Sequence, residues 1–384
     1  MRSMRPGIYR TAIATTVAFA LAAVAGCGKK EEGSEAIQAQ APAAEEKVLN
    51  VYNWSDYIGE DTVGNFQKET GIKVNYDVFD SNELLEGKLS AGGSGYDVVV
   101  PTASFMERQI KSGIFRKLDK SKLPNLQNMD KEIMDRVQLH DADNAHSVNY
   151  MWGTTGIGYN KEKVEKALGR PVDSWAAVFE PANAKKLQQC GIAFLDSASE
   201  MATMMLAYLG KDPNSQSETD LKAVEDKFMA VRPYVRYIHS SQYINDLANG
   251  EICAAVGYSG DVLQARDRAA EAKNNIEVSY AVPKEGTIIW FDMLAIPADA
   301  PHPGNAHLFI DYLMRPEVIA AASDASNYAN GNAASLEFVS DDVKNDPGVY
   351  PPAEVKAKLF PDLAETEEYT RLLTRMWTRF KTGQ

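Results

Sequence analysis

The residues that most often carry catalysis or hold metals are scarce in this chain. Among 384 residues there are three cysteines and five histidines. The histidines, His140, His146, His239, His302 and His307, are scattered, and the one close pair, His302 and His307, lies five apart beside prolines, a poor spacing for a shared metal. No metal and no other cofactor is expected. Gly92-Gly93-Ser94-Gly95 is glycine-rich but lacks the pattern of a dinucleotide or P-loop site, so it reads as a turn before a strand. Gly257-Tyr258-Ser259-Gly260 lacks the spacing of a nucleophile elbow. There is no internal repeat. Positive charge is in deficit too, since 40 Lys and Arg face 53 Asp and Glu, a formal charge of −13. Such a body argues against nucleic acid, repels anions and draws in small cations.

The basic residues that do open the chain are informative. Arg2, Arg5 and Arg10, without an acid among them, precede an apolar run from Thr11 to Ala25 that is too short for a membrane span and ends in small residues. Residues 1–26 read as a secretory leader. The segment Leu21-Ala22-Ala23-Val24-Ala25-Gly26-Cys27 resembles a bacterial lipobox, in which the Cys27 thiol is acylated and becomes the new N-terminus; the alternative is an ordinary leader with Cys27 left as a free thiol. Gly28, in place of an acid, favours the outer membrane by resemblance to lipoprotein sorting rules. Residues 27–46, rich in Lys, Glu, Gln, Ala and Pro, read as a flexible tether. Losing the leader arginines takes the formal charge to −16. The mature protein is thus expected in the periplasm as a membrane-anchored lipoprotein. Cys190 and Cys253 remain as an even pair outside the cytoplasm, which points to a disulfide, with two buried free thiols as the alternative.

Beyond the tether, short β-rich runs alternate with amphipathic helical patterns. This predicts an α/β fold of largely parallel strands covered by helices. Val48 to Asn53 reads as a strand, Glu60 to Thr70 as a helix stopped by Gly71, and Ile72 to Phe79 as a strand. Asp80 with Glu83 reads as a capping box for the next helix. About 340 residues exceed one layered core, so two lobes are expected, 47–150 with 276–327 and 151–275 with 328–384, joined by a hinge.

Within that body an aromatic precedes an aspartate by two or three residues three times, at what reads as a strand end: Trp54-Ser55-Asp56, Tyr258-Ser259-Gly260-Asp261 and Trp290-Phe291-Asp292. One such segment alone is more often a helix cap and a core ring. Three together suit an organic cation, because a ring offers apolar surface and a negative face while a carboxylate neutralises the ammonium. Paired carboxylates facing one cleft are also compatible with glycoside hydrolysis, which needs in addition a raised-pKa acid in an apolar pocket.

Tyr52-Asn53-Trp54-Ser55-Asp56-Tyr57-Ile58, Val78-Phe79-Asp80-Ser81-Asn82-Glu83 and Ser240-Ser241-Gln242-Tyr243-Ile244-Asn245-Asp246 resemble the polyamine-binding (putrescine/spermidine) component of bacterial ABC importers, as do Lys284-Glu285-Gly286 and the Asn345 to Pro352 segment. The likeness runs from about Val48 to the C-terminus. It implies a two-lobed periplasmic solute-binding protein of the type 2, Venus flytrap kind, with the ligand cleft between the lobes, no enzymatic activity, and an ABC permease and ATPase as partners of a monomer. It also implies a ligand set: Trp54, Ser55, Asp56, Tyr57, Thr102, Glu200, Ser240, Tyr258, Asp261, Trp290, Asp292 and Tyr328. Tyr258 stands where a Trp is usual in putrescine-type members and Trp290 where a Phe is usual, the latter being more like spermidine-preferring members. Asp362 falls where putrescine-type members carry an apolar residue; it reads as a solvated surface acid or as a partner for an extra amine. The resemblance leaves a polyamine sensor of the same fold as the alternative to a transport receptor. Ferric ion would require a tyrosine cluster, and an anion would require cleft arginines or helix N-termini, which the acidic set argues against.

Overall fold

The structure, a computed structural model, describes residues 45–384. The expected leader, Cys27 and the tether as far as residue 44 lie outside the described residues. Among the described residues no helix is long and apolar enough to cross a membrane. Glu45 accepts from the backbone N–H groups of Gly304 and Asn305 at 2.8 and 2.9 Å, so a carboxylate sits on the N-terminus of helix Pro303–Leu313.

The first strands form as their patterns predict. β1 (Val48–Trp54) buries Leu49 and Val51, and helix Thr62–Thr70 ends at Gly71, whose φ of 70° only glycine adopts without penalty. β2 (Lys73–Phe79) lies parallel to β1. The following helix, Asn82–Ser90, is capped by Ser81, whose hydroxyl accepts from the Leu84 N–H. The cap is therefore Ser81, one residue beyond the expected Asp80.

One mixed sheet of eleven strands carries the fold. Besides β1 and β2 it contains β3 (Val98–Val99), β4 (Ser147–Asn160), β5 (Ile192–Phe194), β6 (Tyr237–Ile238), β7 (Ala254–Tyr258), β8 (Val278–Ala281), β9 (Thr287–Ala295), β10 (Ala329–Asn330) and β11 (Leu359–Pro361). Its flanks are parallel, as expected, but its centre is antiparallel, because β4 pairs antiparallel with β7, β8, β9 and β10. The sequence of short βα units does not show this. β4 is a 14-residue strand buried throughout, and its two halves serve different neighbours. Residues Ser147 to Thr154 pair with β9, and Thr155 to Tyr159 pair with β7.

Separate aromatic clusters anchor the two ends. Phe66 packs edge-on against Phe309 and Tyr312, while Phe228 joins Phe179, Trp377 and Phe380. The last two belong to helix Glu367–Thr382, capped by Thr366, whose apolar stripe of Leu373, Met376, Trp377 and Phe380 is buried. Cys190 and Cys253 are disulfide-bonded with Cα atoms 5.4 Å apart, tying the approach to β5 to the approach to β7.

Candidate functional site

The twelve residues singled out above as a ligand set all line one cavity of about 300 Å³. β1 ends in Trp54, and the turn beyond it carries Ser55, Asp56 and Tyr57. β7 ends in Tyr258, and Asp261 falls in the first turn of helix Ser259–Ala272. The third aromatic–aspartate segment is not at a strand end: Trp290 and Asp292 lie in the middle of β9, on the same face by the two-residue period of a strand.

Glu200 and Asp292 are buried in this cavity and Asp261 is part-buried, and each of the three is held by neutral hydroxyl donors. Asp292 accepts from Thr102 Oγ1 at 2.7 Å and Tyr57 Oη at 2.9 Å. Thr102 is fixed in turn by Asn82, whose side chain donates to its hydroxyl and accepts from its backbone N–H. Asp261 accepts from Tyr243 and Tyr328, both at 2.7 Å. Glu200, in the first turn of helix Ala198–Tyr208, accepts from Tyr258 at 2.9 Å and Thr155 at 3.1 Å. None of the three is ion-paired with a protein cation among the described residues.

Burial dominates their electrostatics. It lifts Asp292 and Glu200 to about 7 and Asp261 to about 6, from ordinary values of 3.8 for the aspartates and 4.5 for the glutamate. The hydroxyl donors pull the other way and lose. So does the favourable N-terminal position of Glu200 and Asp261 on their helices: such a position contributes about 0.3–1 kcal/mol, whereas moving Glu200 from 4.5 to about 7 corresponds to about 3 kcal/mol. A bound cation would restore the charged forms.

Aromatic rings form the walls. Trp290 meets Tyr258 and Tyr328 edge-on at 5.8 and 5.2 Å, and Tyr328 meets Tyr57 at 5.2 Å. Trp54 packs on Phe79 at 4.6 Å and anchors its indole N–H on the Val100 carbonyl at 2.9 Å. Two glycines make room. A Cβ at Gly153, opposite Trp290 in the β4–β9 register, would lie 2.7 Å from the indole, and one at Gly260 would lie 2.6 Å from the Tyr328 ring.

The remaining members occupy other situations. Asp56 sits at the mouth in the left-handed region, with a side chain 57% exposed, and its Oδ2 accepts from Arg268 Nη2 at 3.2 Å. Ser240 accepts the Asp196 backbone N–H at 3.1 Å and keeps a donor free. Asp362 is buried at 5% exposure, which corrects its reading as a solvated surface acid: the segment after β11 folds inward. Phe79, Asp80, Gln242, Asn245 and Arg268 also line the cavity and were not in the expected ligand set, although all but Arg268 fall in the segments that carry the resemblance. Arg268 stands seven residues after Asp261 on one helix, a spacing that returns to the same face and could have identified it. Tyr243, which holds Asp261, carried no such signal.

A hydroxyl-held carboxylate set inside aromatic walls is assembled from β9, helix Ala198–Tyr208 and helix Ser259–Ala272, and the architecture is that of a two-lobed solute-binding fold with a hinge and the ligand cleft between the lobes. The profile of the bacterial extracellular solute-binding protein family matches residues 61–351, and the chain belongs to that family. It is 54% identical over 353 residues to the putrescine-binding periplasmic protein SpuD of Pseudomonas aeruginosa, covering 91% of this chain and 95% of that one. It is likewise 54% identical over 345 residues to the putrescine-binding periplasmic protein PotF of Escherichia coli, covering 89% and 93%. Among solved structures, a putative spermidine/putrescine ABC transporter protein from Listeria monocytogenes superposes with a TM-score of 0.79 at 31% identity, covering 88% of this chain and all of the other.

Proposed function

We propose that this protein is an extracytoplasmic receptor that captures a polyamine, putrescine or spermidine, in the cavity and delivers it to an ABC importer. One observation carries the reading: Asp292 and Glu200, buried, and Asp261, part-buried, are carboxylates whose side chains accept only from hydroxyls and form no ion pair among the described residues. A buried unpaired charge is costly, and a linear polyammonium neutralises it while its methylenes pack between rings. Putrescine spans roughly 6 Å between ammoniums by single-bond dimensions. The relatives named for putrescine support the ligand class.

The twelve lining residues act as the ligand set, and the site performs no covalent chemistry. The lobes divide within β4: residues before Thr155 go with β1, β2, β3 and β9, and later ones with β5, β6 and β7. Strand pairing supports four shifts from the division expected above: residues 151–154 and β11 go with the first lobe because they pair with β9, and the other two are β8 and β10. β8 goes with the second lobe because it pairs with Ile157 to Asn160, and β10 with the first because it pairs with Met151 and Trp152. In this reading Asp292 belongs to one lobe, Asp261 and Glu200 to the other, and a ligand touching both favours closure by binding the closed state more tightly. The protein works as a periplasmic monomer, released from its leader and lipid-anchored through Cys27.

Isothermal titration of the purified protein, stripped of bound ligand by partial unfolding and refolding, tests this against putrescine, cadaverine, spermidine and spermine. Micromolar or tighter binding of at least one is expected. Absence of heat with all four would sink the reading.

A further inference from the structure

The crossover from β11 to helix Glu367–Thr382 carries an acid, Glu365, that the ligand cavity does not use. β11 pairs with β9, whereas the helix packs in the Phe228 cluster, so on the lobe division proposed above this segment passes from the first lobe to the second. Its far end is pinned to the second lobe before the helix begins. The Leu363 N–H donates to Asn214 Oδ1 at 3.1 Å and the Thr366 N–H to Gln216 Oε1 at 2.9 Å. Glu365 Oε1 accepts from Ser199 Oγ, in the first turn of helix Ala198–Tyr208 and next to Glu200.

The other oxygen faces the opposite lobe. Glu365 Oε2 lies 3.5 Å from Arg108 Nη1, and Arg108 belongs to helix Ala103–Lys111, whose N-cap is Thr102, the residue that donates to Asp292. Arg108 is held ready: its Nε and Nη2 both donate to Glu86 at 2.6 Å, a two-pronged bond that fixes the guanidinium plane and leaves Nη1 for Glu365. The two side chains are only 24% and 11% exposed, so salt screens the pair less than it screens a surface pair. A groove of about 320 Å³ runs beside it, with Glu83 and Phe105 on the first-lobe wall and Trp377 and Lys381 on the other. Neither Arg108 nor Glu365 lines the ligand cavity. The pair therefore joins the helix that starts at Thr102 to the helical turn that carries Glu200, without touching the site itself.

We propose that Arg108 and Glu365 form a clasp between the lobes that favours the closed form and slows release of the ligand. The inference rests on the lobe division and goes beyond the polyamine reading, since the clasp acts on the lobes and not on the ligand. An ion pair made when the lobes meet adds its free energy to the closed state, and a larger closed population tightens every ligand by the same factor. Glu86 and Ser199 hold the two partners in place beforehand, so little side-chain freedom is lost on closure.

The test is titration calorimetry and stopped-flow displacement with 1,4-diaminobutane and its N-(3-aminopropyl) derivative on the wild type, Glu365→Gln, Arg108→Gln and the double variant. Each single variant is expected to weaken both amines by the same factor, about threefold or more, mainly through faster dissociation. The second substitution is expected to add less than about twofold to the first, because the two remove one interaction. Independent effects, a change confined to one amine, or affinities equal to wild type would overturn the proposal. A second readout needs no ligand. Nitroxides on the exposed positions Lys131→Cys and Lys222→Cys, one in each lobe, report the distance between lobes by double electron–electron resonance. Glu365→Gln is expected to shift the distribution towards longer distances, and an unchanged distribution would overturn the clasp. Circular-dichroism melting checks folding; Glu365→Gln keeps the shape of the side chain and decides by itself if Arg108→Gln does not fold. A wild type that binds neither amine would remove the polyamine reading and leave the distance measurement to judge the clasp.

Discussion

The Tyr328 hydroxyl accepts the backbone N–H of Asp261 at 3.1 Å and donates to the carboxylate of the same residue at 2.7 Å. One tyrosine from a distant segment thereby fixes both ends of Asp261, and Gly260 lets its ring lie against the helix N-terminus. Asp261→Asn removes the charge an ammonium needs and is expected to weaken diamine binding by about tenfold or more, or about 1.4 kcal/mol. Tyr328→Phe leaves the charge but frees its orientation, at a cost of about 1 kcal/mol. Calorimetry on both variants checks the order. Unchanged affinity in Asp261→Asn would remove this carboxylate from the ligand set.

Binding should strengthen as pH rises. Asp292 and Glu200 near 7 and Asp261 near 6 hold protons in the empty cavity, and an ammonium displaces them. Putrescine affinity is expected to rise from pH 5.5 to 8, with proton release detectable as a dependence of the binding heat on buffer ionisation enthalpy. The empty protein follows the opposite sign. Its folded pKa values exceed the unfolded ones, so this contribution to stability is complete below about 4 and disappears as pH climbs through about 6 to 7. Thermal melts with and without putrescine at the two pH values separate the effects. A pH-independent affinity would show that the three carboxylates do not meet the ligand's charge.

The Asp56–Arg268 pair at the cavity mouth is partly exposed, and such pairs contribute about 0–1 kcal/mol. Arg268→Gln is therefore expected to leave melting temperature nearly unchanged. Because the pair joins the turn after β1 to helix Ser259–Ala272 across the mouth, its loss should act on ligand release, raising the dissociation rate a few-fold in stopped-flow displacement. A dissociation rate equal to wild type would show that the mouth is closed by other contacts.

Cys190 and Cys253 close a loop of 63 residues. Replacing both with serine is expected to cost about 2–5 kcal/mol of stability, read as a lower urea midpoint. Neither residue lines the cavity, so ligand affinity in the folded variant should match wild type. Equal urea midpoints would mean that the bridge adds nothing to the fold.

Much of this site was legible because strand and helix periods turn sequence spacing into direction. Trp290 and Asp292, two apart, share a face of β9 whether the strand ends there or, as found, continues. The helix after β2 was legible as well, though its cap moved from Asp80 to Ser81. What the sequence could not reveal depended on contacts between distant segments. Tyr243 meets Asp261 from another helix, and Asp362 reads as a surface acid until β11 is seen to add to β9. The antiparallel centre was hidden for the same reason, since only Thr155 to Tyr159 of β4 reads as a strand and its partners come from distant parts of the chain.

β4 is also the mechanical heart of the molecule. A pivot made of loops can swivel in many directions, but a continuous, fully buried strand bonded along both halves resists twisting and shear, and yields most readily to bending across its flat face. Lobes that divide within β4, as proposed above, are joined as by a leaf spring, whose travel follows one arc. On the proposed division, each return along that arc brings Asp292 back to the same place opposite Asp261 and Glu200, so the spacing of the three carboxylates follows from the stiffness of the sheet.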